Sequence, residues 1–212
     1  FVPSYGKGRS YQLTNYQADI FNAIFLKENP RVQVIAPTQY GKSSVVAMAL
    51  ILRSQVYAEP YIIVAGRKDK ARIIKEKVIQ HLFDDERLWK QMELDKNEPL
   101  DRIRRERSKD KITWKCGGEI KVLSAQTKSQ KNVLDSLTGF GGSSVIEDES
   151  ALIPDNFQAM VLRMLGGHKN NFLFKIGNPF TRGHFLKTWN SDKYQKIFID
   201  YHIALKEGRY TE

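Results

Sequence analysis

Apolar residues fall into short, nearly continuous runs separated by longer stretches with helical spacing. Val32 to Ala36, Tyr61 to Ala65 and Asn171 to Ile176 each read as one strand, and Ser143 to Glu149 carries a further one around Val145 and Ile146. Lys196 to Tyr201 reads as the last. Continuous apolarity, as opposed to alternation, fits strands covered on both faces, and therefore a mostly parallel sheet. Between these runs, Ile20 with Ile24 and Phe21 with Phe25 recur at helical spacing, behind Thr14 or Asn15 as cap. Ser44 to Leu52 is an apolar helix, and Ile74, Val78 and Leu82 form one stripe among Lys70, Arg72, Lys75, Glu76 and Lys77. Phe157 to Leu165 is a helix introduced by Pro154 and ended by Gly166 and Gly167. Ile112 to Lys115 and Glu119 to Leu123 flank Cys116-Gly117-Gly118 as a small β-hairpin. Residues 84 to 111 are the least regular, and 124 to 142 are polar and glycine-containing.

The pattern predicts one α/β domain over residues 1–212, a length that supports a sizeable core. No apolar run approaches the roughly 18 residues of a membrane span, and Phe1 to Arg9 is not a signal peptide, so no membrane partner is expected. The absence of an initiator Met reads as a fragment. A single Cys116 gives neither an internal disulfide nor a thiolate cluster, which suits a reducing cytosol. His81, His168, His184 and His202 lack metal-ligand spacing and are read as structural or surface. A net charge of +10 is compatible with a nucleic-acid partner. Arg102, Arg104, Arg105, Arg107, Lys109 and Lys111 form either a phosphate-touching arm or a solvated insertion.

Chemistry concentrates at Ala36-Pro37-Thr38-Gln39-Tyr40-Gly41-Lys42-Ser43, which fits the phosphate-loop pattern and sits between strand and helix. A helix N-terminus supplies unpaired N–H groups and partial positive charge to a polyphosphate. Thr38, Gln39, Tyr40, Gly41, Lys42, Ser43 and Ser44 are therefore the expected cradle, Gly41 allowing close approach and Lys42 reaching the terminal phosphates. Ser43 can ligate Mg²⁺. Glu147-Asp148-Glu149 ends a later strand, at the edge where open α/β sheets bind ligands. Asp148 is placed to hold Mg²⁺ opposite Ser43, and Glu149 to orient or deprotonate water. Gln17 either pairs with an adenine edge, donating and accepting one hydrogen bond each, or faces solvent in the first helical turn. Asn178 in Gly177-Asn178-Pro179 either contacts the γ-phosphate or its water, or starts a turn.

With these motifs in this order, the chain resembles the ATPase domain of the large terminase subunit of tailed double-stranded DNA phages. The resemblance spans nearly the whole chain and implies an additional-strand, RecA/helicase-like P-loop NTPase. It implies ATP and Mg²⁺ as cofactors, Lys42 and Glu149 as catalytic residues, and Gln17 as an adenine-recognising glutamine within an adenine-side segment, 1–30. It further implies double-stranded DNA, a portal protein and a small terminase subunit as partners, in the cytoplasm of an infected bacterium. The family works as a homo-oligomeric ring, a pentamer, with the isolated domain expected as a monomer. Residues 201–212 look like the start of a linker to a C-terminal nuclease domain, so nuclease activity is not expected of these residues.

Two departures stand out. Pro37 to Tyr40 has no arginine, and neither has Leu137 to Phe140 ahead of the acidic strand, where some members place one for a neighbour. Arg102, Arg104, Arg105 or Arg163 would then act in trans. The alternatives are a superfamily 2 helicase or translocase core, and a nucleic-acid-binding module with a degenerate nucleotide site.

Overall fold

The computed structural model describes residues 4–5, 9–10, 12–66, 68–93, 111–125 and 143–210. Arg102, Arg104, Arg105, Arg107 and Lys109, and the stretch Leu137 to Phe140, lie outside the described residues. A two-residue pair, β1 (Ser4–Tyr5) with β2 (Arg9–Ser10), runs antiparallel apart from the main sheet. Helix α1 (Asn15–Leu26) begins at a capping box, in which Thr14 and Gln17 each bond the other's backbone N–H. There follow β3 (Arg31–Ile35), α2 (Lys42–Val56), β4 (Pro60–Ala65), α3 (Lys68–Asp84) and the short α4 (Glu86–Trp89). After them come β5 (Lys111–Thr113), β6 (Glu119–Ser124), β7 (Ser144–Asp148) and a 3-10 turn at Ser150–Leu152. The chain continues through α5 (Asp155–Gly166), β8 (Phe172–Gly177), α6 (His184–Trp189), β9 (Gln195–Phe198) and α7 (Tyr201–Lys206).

Seven strands form one sheet in the order β5-β6-β4-β7-β8-β3-β9, parallel at every pairing except β5 with β6. Strand β8 therefore sits between the loop-bearing β3 and the acidic β7, which is the additional-strand arrangement. On one face Ile63, Ile146, Phe172, Phe174 and Ile176 pack in one core with Val46, Ala49 and Leu50 of α2 and with Ile20 and Ile24 of α1. On the other, Ile62, Val64, Val145 and Leu173 meet Phe157, Val161 and Leu165 of α5. Coverage on both sides explains why β4, β7 and β8 are buried along almost their whole length. The expected stripe of α3 is buried at Ile74, Val78 and Leu82. No helix among the described residues is long and apolar enough to cross a membrane.

The hairpin forms where expected, and β6 also pairs in parallel with β4, so it is the rim of the central sheet. Gly118 is required there, because a Cβ would fall 2.0 Å from the Ser54 carbonyl oxygen of α2. Beside it the fully buried Trp114 donates its indole N–H to Ser54 Oγ at 2.7 Å. The last strand is shorter than the run Lys196 to Tyr201: it stops at Phe198, and Asp200 caps α7 by accepting the Ile203 N–H at 2.7 Å. Residues 201–210 thus include a helix packed on the domain, and α6 is a second helix that periodicity does not disclose in six residues.

Candidate active site

The register levels three strand ends. Ile35 pairs with Gly177, and Ile176 with Asp148, so the loop after β3, Asn178 after β8 and Glu149 after β7 emerge at one carboxyl edge. In the loop, Thr38 and Gln39 are exposed while Tyr40 is buried. Gln39 at φ 62 and Gly41 at φ 90 occupy the left-handed region, which turns the chain sharply enough to start α2 at Lys42. The N–H groups of Ser44 and Val45 both bond the Gly41 carbonyl at 3.1 Å, so the helix is regular from its first turn. Ser44 is buried and Ser43 half-buried. Lys42 is 6% exposed, and its ammonium donates to the carbonyls of Ala36 at 3.1 Å and Pro37 at 2.7 Å. Burial lowers its pKa, against the opposing pull of Glu149 and Asp148.

Ser43 Oγ donates to Asp148 Oδ2 at 3.4 Å, bringing together the two residues expected to hold a metal. Burial, then the neighbouring Glu149 charge, push the Asp148 carboxyl up to about 7. A hard oxygen pair in a pocket that disfavours the bare carboxylate fits a divalent cation such as Mg²⁺. Glu149 has φ 49 and stands at the head of the following 3-10 turn, its carbonyl accepting the Leu152 N–H at 2.8 Å while its side chain makes no capping bond. Its neighbour Gly177 leaves it room, since a Cβ there would stand 3.1 Å from the Ser150 nitrogen and 3.3 Å from Glu149 Cα. Asn178 is half-buried, and its carbonyl accepts the Phe180 N–H at 2.9 Å in a turn.

Gln17 does not face solvent: it is fully buried against the loop. Its Nε2 donates to the Tyr40 carbonyl at 2.8 Å, and its Oε1 accepts from Thr14 N at 3.2 Å and Arg209 Nη2 at 2.6 Å. Both acceptor positions of the amide are thus occupied, and pairing with an adenine amino group requires one of those donors to leave. The Tyr40 hydroxyl bonds Glu207 and, at 3.0 Å, Thr14 Oγ1. Glu207 and Arg209 therefore join the loop, a role that no local sequence signal could announce across 167 and 192 residues. Arg163 lies exposed on α5.

The pairing of Glu147 with Lys175, and its contact with His184, a histidine expected only as structural or surface, were not anticipated. Glu147 and Lys175 interrupt apolar strands, and their register makes them neighbours. Both are 0% exposed, at 3.9 Å, with His184 Nδ1 2.9 Å from the lysine. Charges inside strands of otherwise apolar residues were the legible signal.

Compared as a sequence, the chain matches no protein-family profile and no curated protein. Compared as a fold, it is similar to the large terminase of bacteriophage HK97 (TM-score 0.70, 18% identity), covering 95% of this chain and 42% of that one. It is also similar to the large terminase ATPase domain of Thermus phage P74-26 (TM-score 0.63, 17% identity, 94% and 85% covered). The large terminase of a thermophilic bacteriophage in complex with ADP follows at TM-score 0.62 and 11% identity, with 95% and 51% covered. The UvsW helicase of bacteriophage T4 matches at TM-score 0.58 and 16% identity, over 94% of this chain and 64% of that one. The chain spans less than half the length of the HK97 protein. It has the fold of the phage large terminase ATPase domain.

Proposed function

We propose that the chain is the ATP-hydrolysing motor domain of a viral large terminase, driving double-stranded DNA into a procapsid. The observation that carries this is the meeting of Ser43 and Asp148 at 3.4 Å, with Glu149 next in the chain and β8 inserted between β3 and β7. Thr38 to Ser44 cradle the phosphates, and Lys42 exchanges the Ala36 and Pro37 carbonyls for phosphate oxygens. Ser43 and Asp148 hold Mg²⁺, which when bound neutralises charge on the terminal phosphates. Glu149 orients a water for in-line attack and accepts its proton, while Lys42 stabilises charge on the transferring group. Asn178, level with both, reports the γ-phosphate to the segment behind β8. Gln17 faces the base once Arg209 or Thr14 yields. With no arginine in Pro37 to Tyr40, a neighbouring subunit of a homo-oligomeric ring, set on a portal, supplies the second cation.

The +10 charge, together with the likeness in fold to phage large terminases, supports DNA as the load. The test is DNA-stimulated ATP turnover by the full-length protein assembled as a ring. Turnover is expected in the wild type, and Lys42→Ala is expected to weaken nucleotide binding and to abolish turnover. Strand separation of a forked duplex, the activity of a helicase, would redirect the reading toward the runner-up. DNA binding without any turnover would leave only a binding module.

A further inference from the structure

Behind the acidic strand end lies a continuous polar chain that the hydrolytic reading does not use. Glu147 and Lys175 stand side by side on β7 and β8, on the face opposite Asp148. At 3.9 Å the two charges attract without a direct hydrogen bond. The lysine ammonium donates elsewhere, to His184 Nδ1 at 2.9 Å and Thr188 Oγ1 at 3.3 Å. Since Nδ1 accepts, the ring proton sits on Nε2, which donates to the Ile153 carbonyl at 2.9 Å. Glu147 Oε2 accepts from Ser150 Oγ at 2.7 Å. Two more ties run the same way: Thr181 Oγ1 donates to the Ala151 carbonyl at 2.8 Å, and the His184 N–H donates to Asp155 Oδ1 at 2.9 Å.

Four of these bonds, between Glu147 and Ser150, between Thr181 and Ala151, and from His184 to Ile153 and Asp155, anchor the segment Ser150 to Asp155, which begins one residue after Glu149. The Lys175 bonds hold His184 in place behind them. Glu149 holds φ 49, a conformation that a non-glycine residue keeps only where its surroundings impose it. A buried ion pair is a poor source of net stability, because desolvation offsets the attraction and an apolar pair of similar volume serves as well. Its distinctive property is fixed geometry.

We propose that the Glu147–Lys175–His184 chain is a positioning element for Glu149. It clamps the turn after Glu149 to the segment after β8, and so sets where the carboxylate meets its water. The proposal rests on the hydrolytic reading above. Its prediction is a defect in the chemical step with nucleotide binding intact.

The experiment compares wild type, Lys175→Met, the double variant Glu147→Gln with Lys175→Met, and Thr181→Val, all in the full-length protein. Each is measured for affinity toward a fluorescent ATP analogue, single-turnover hydrolysis and thermal midpoint. The double variant buries no unpaired charge and keeps the fold even if Lys175→Met alone does not. It is expected to bind the analogue within about threefold of wild type and to hydrolyse about 10- to 100-fold more slowly, as a misplaced group does. Thr181→Val is expected to shift the rate in the same direction by less. A double variant with native midpoint and wild-type rate overturns the positioning role while leaving the hydrolytic reading standing. A wild-type ring that binds ATP on DNA and never cleaves it overturns both.

Discussion

The two faces of β7 and β8 are built on opposite terms. On one, Ile146, Phe172, Phe174 and Ile176 face the helices α1 and α2 as an apolar layer, with Asp148 at its carboxyl end. On the other, Val145 and Leu173 pack against Phe157, Val161 and Leu165 of α5, while Glu147 and Lys175 beside them make hydrogen bonds to Ser150, His184 and Thr188. The apolar face supports α2 and so fixes the loop from Ala36 to Gly41 by packing. The polar face tethers the turn after Glu149, and directional bonds define one geometry where packing permits several.

Adjacent residues on β8 give the sharpest way to break this comparison. Phe174→Ala should cost about 3–5 kcal/mol in urea unfolding, leaving turnover per folded molecule unchanged. Lys175→Met should cost about 3 kcal/mol by stranding Glu147, and the further change Glu147→Gln should return most of that loss. Two stability losses of similar size would then separate by whether a partner substitution repairs them.

A pH titration asks the next question, because each face carries a buried histidine. Burial depresses His81, near α2, and His184 from 6.5 to about 4. The folded state binds fewer protons than the unfolded chain in that window. Their stabilisation is therefore complete above pH 6.5 and is lost as pH falls toward 4. The loss should reach on the order of 2 kcal/mol per histidine by pH 5. His81→Leu should flatten the acid limb of stability without touching single-turnover hydrolysis.

Smaller effects mark the edges of the account. Thr14→Ala removes the cap of α1 and should cost about 1 kcal/mol, measured by the unfolding midpoint. Arg87→Ala removes an exposed pair with Asp85 and should leave the unfolding midpoint unchanged.

The apolar face was legible because its signal is local: runs such as Tyr61 to Ala65 and the stripe Ile74, Val78 and Leu82 declare strand and helix directly. The loop from Ala36 to Ser43 and the acids after Ile146 were legible for the same reason, each being contiguous. What escaped was built from distance. Glu207 reaches Tyr40, and Arg209 reaches Gln17, only because α7 turns back over the loop, and that helix hides behind the Asp200 cap in a run that reads as strand. Lys175 lies in a run that reads only as a buried strand, and the register alone puts Glu147 beside it. Gln17 illustrates both limits. Its neighbourhood to the loop was readable, and the saturation of its amide oxygen by Arg209 was not.

The most direct measurement is ATP binding and single-turnover hydrolysis by Glu149→Gln beside wild type, with Mg²⁺, in the assembled full-length protein. If Glu149 prepares the attacking water, the variant binds ATP as tightly as wild type and holds it uncleaved, with the rate down by about 100-fold or more. Hydrolysis by Glu149→Gln at the wild-type rate would contradict the account.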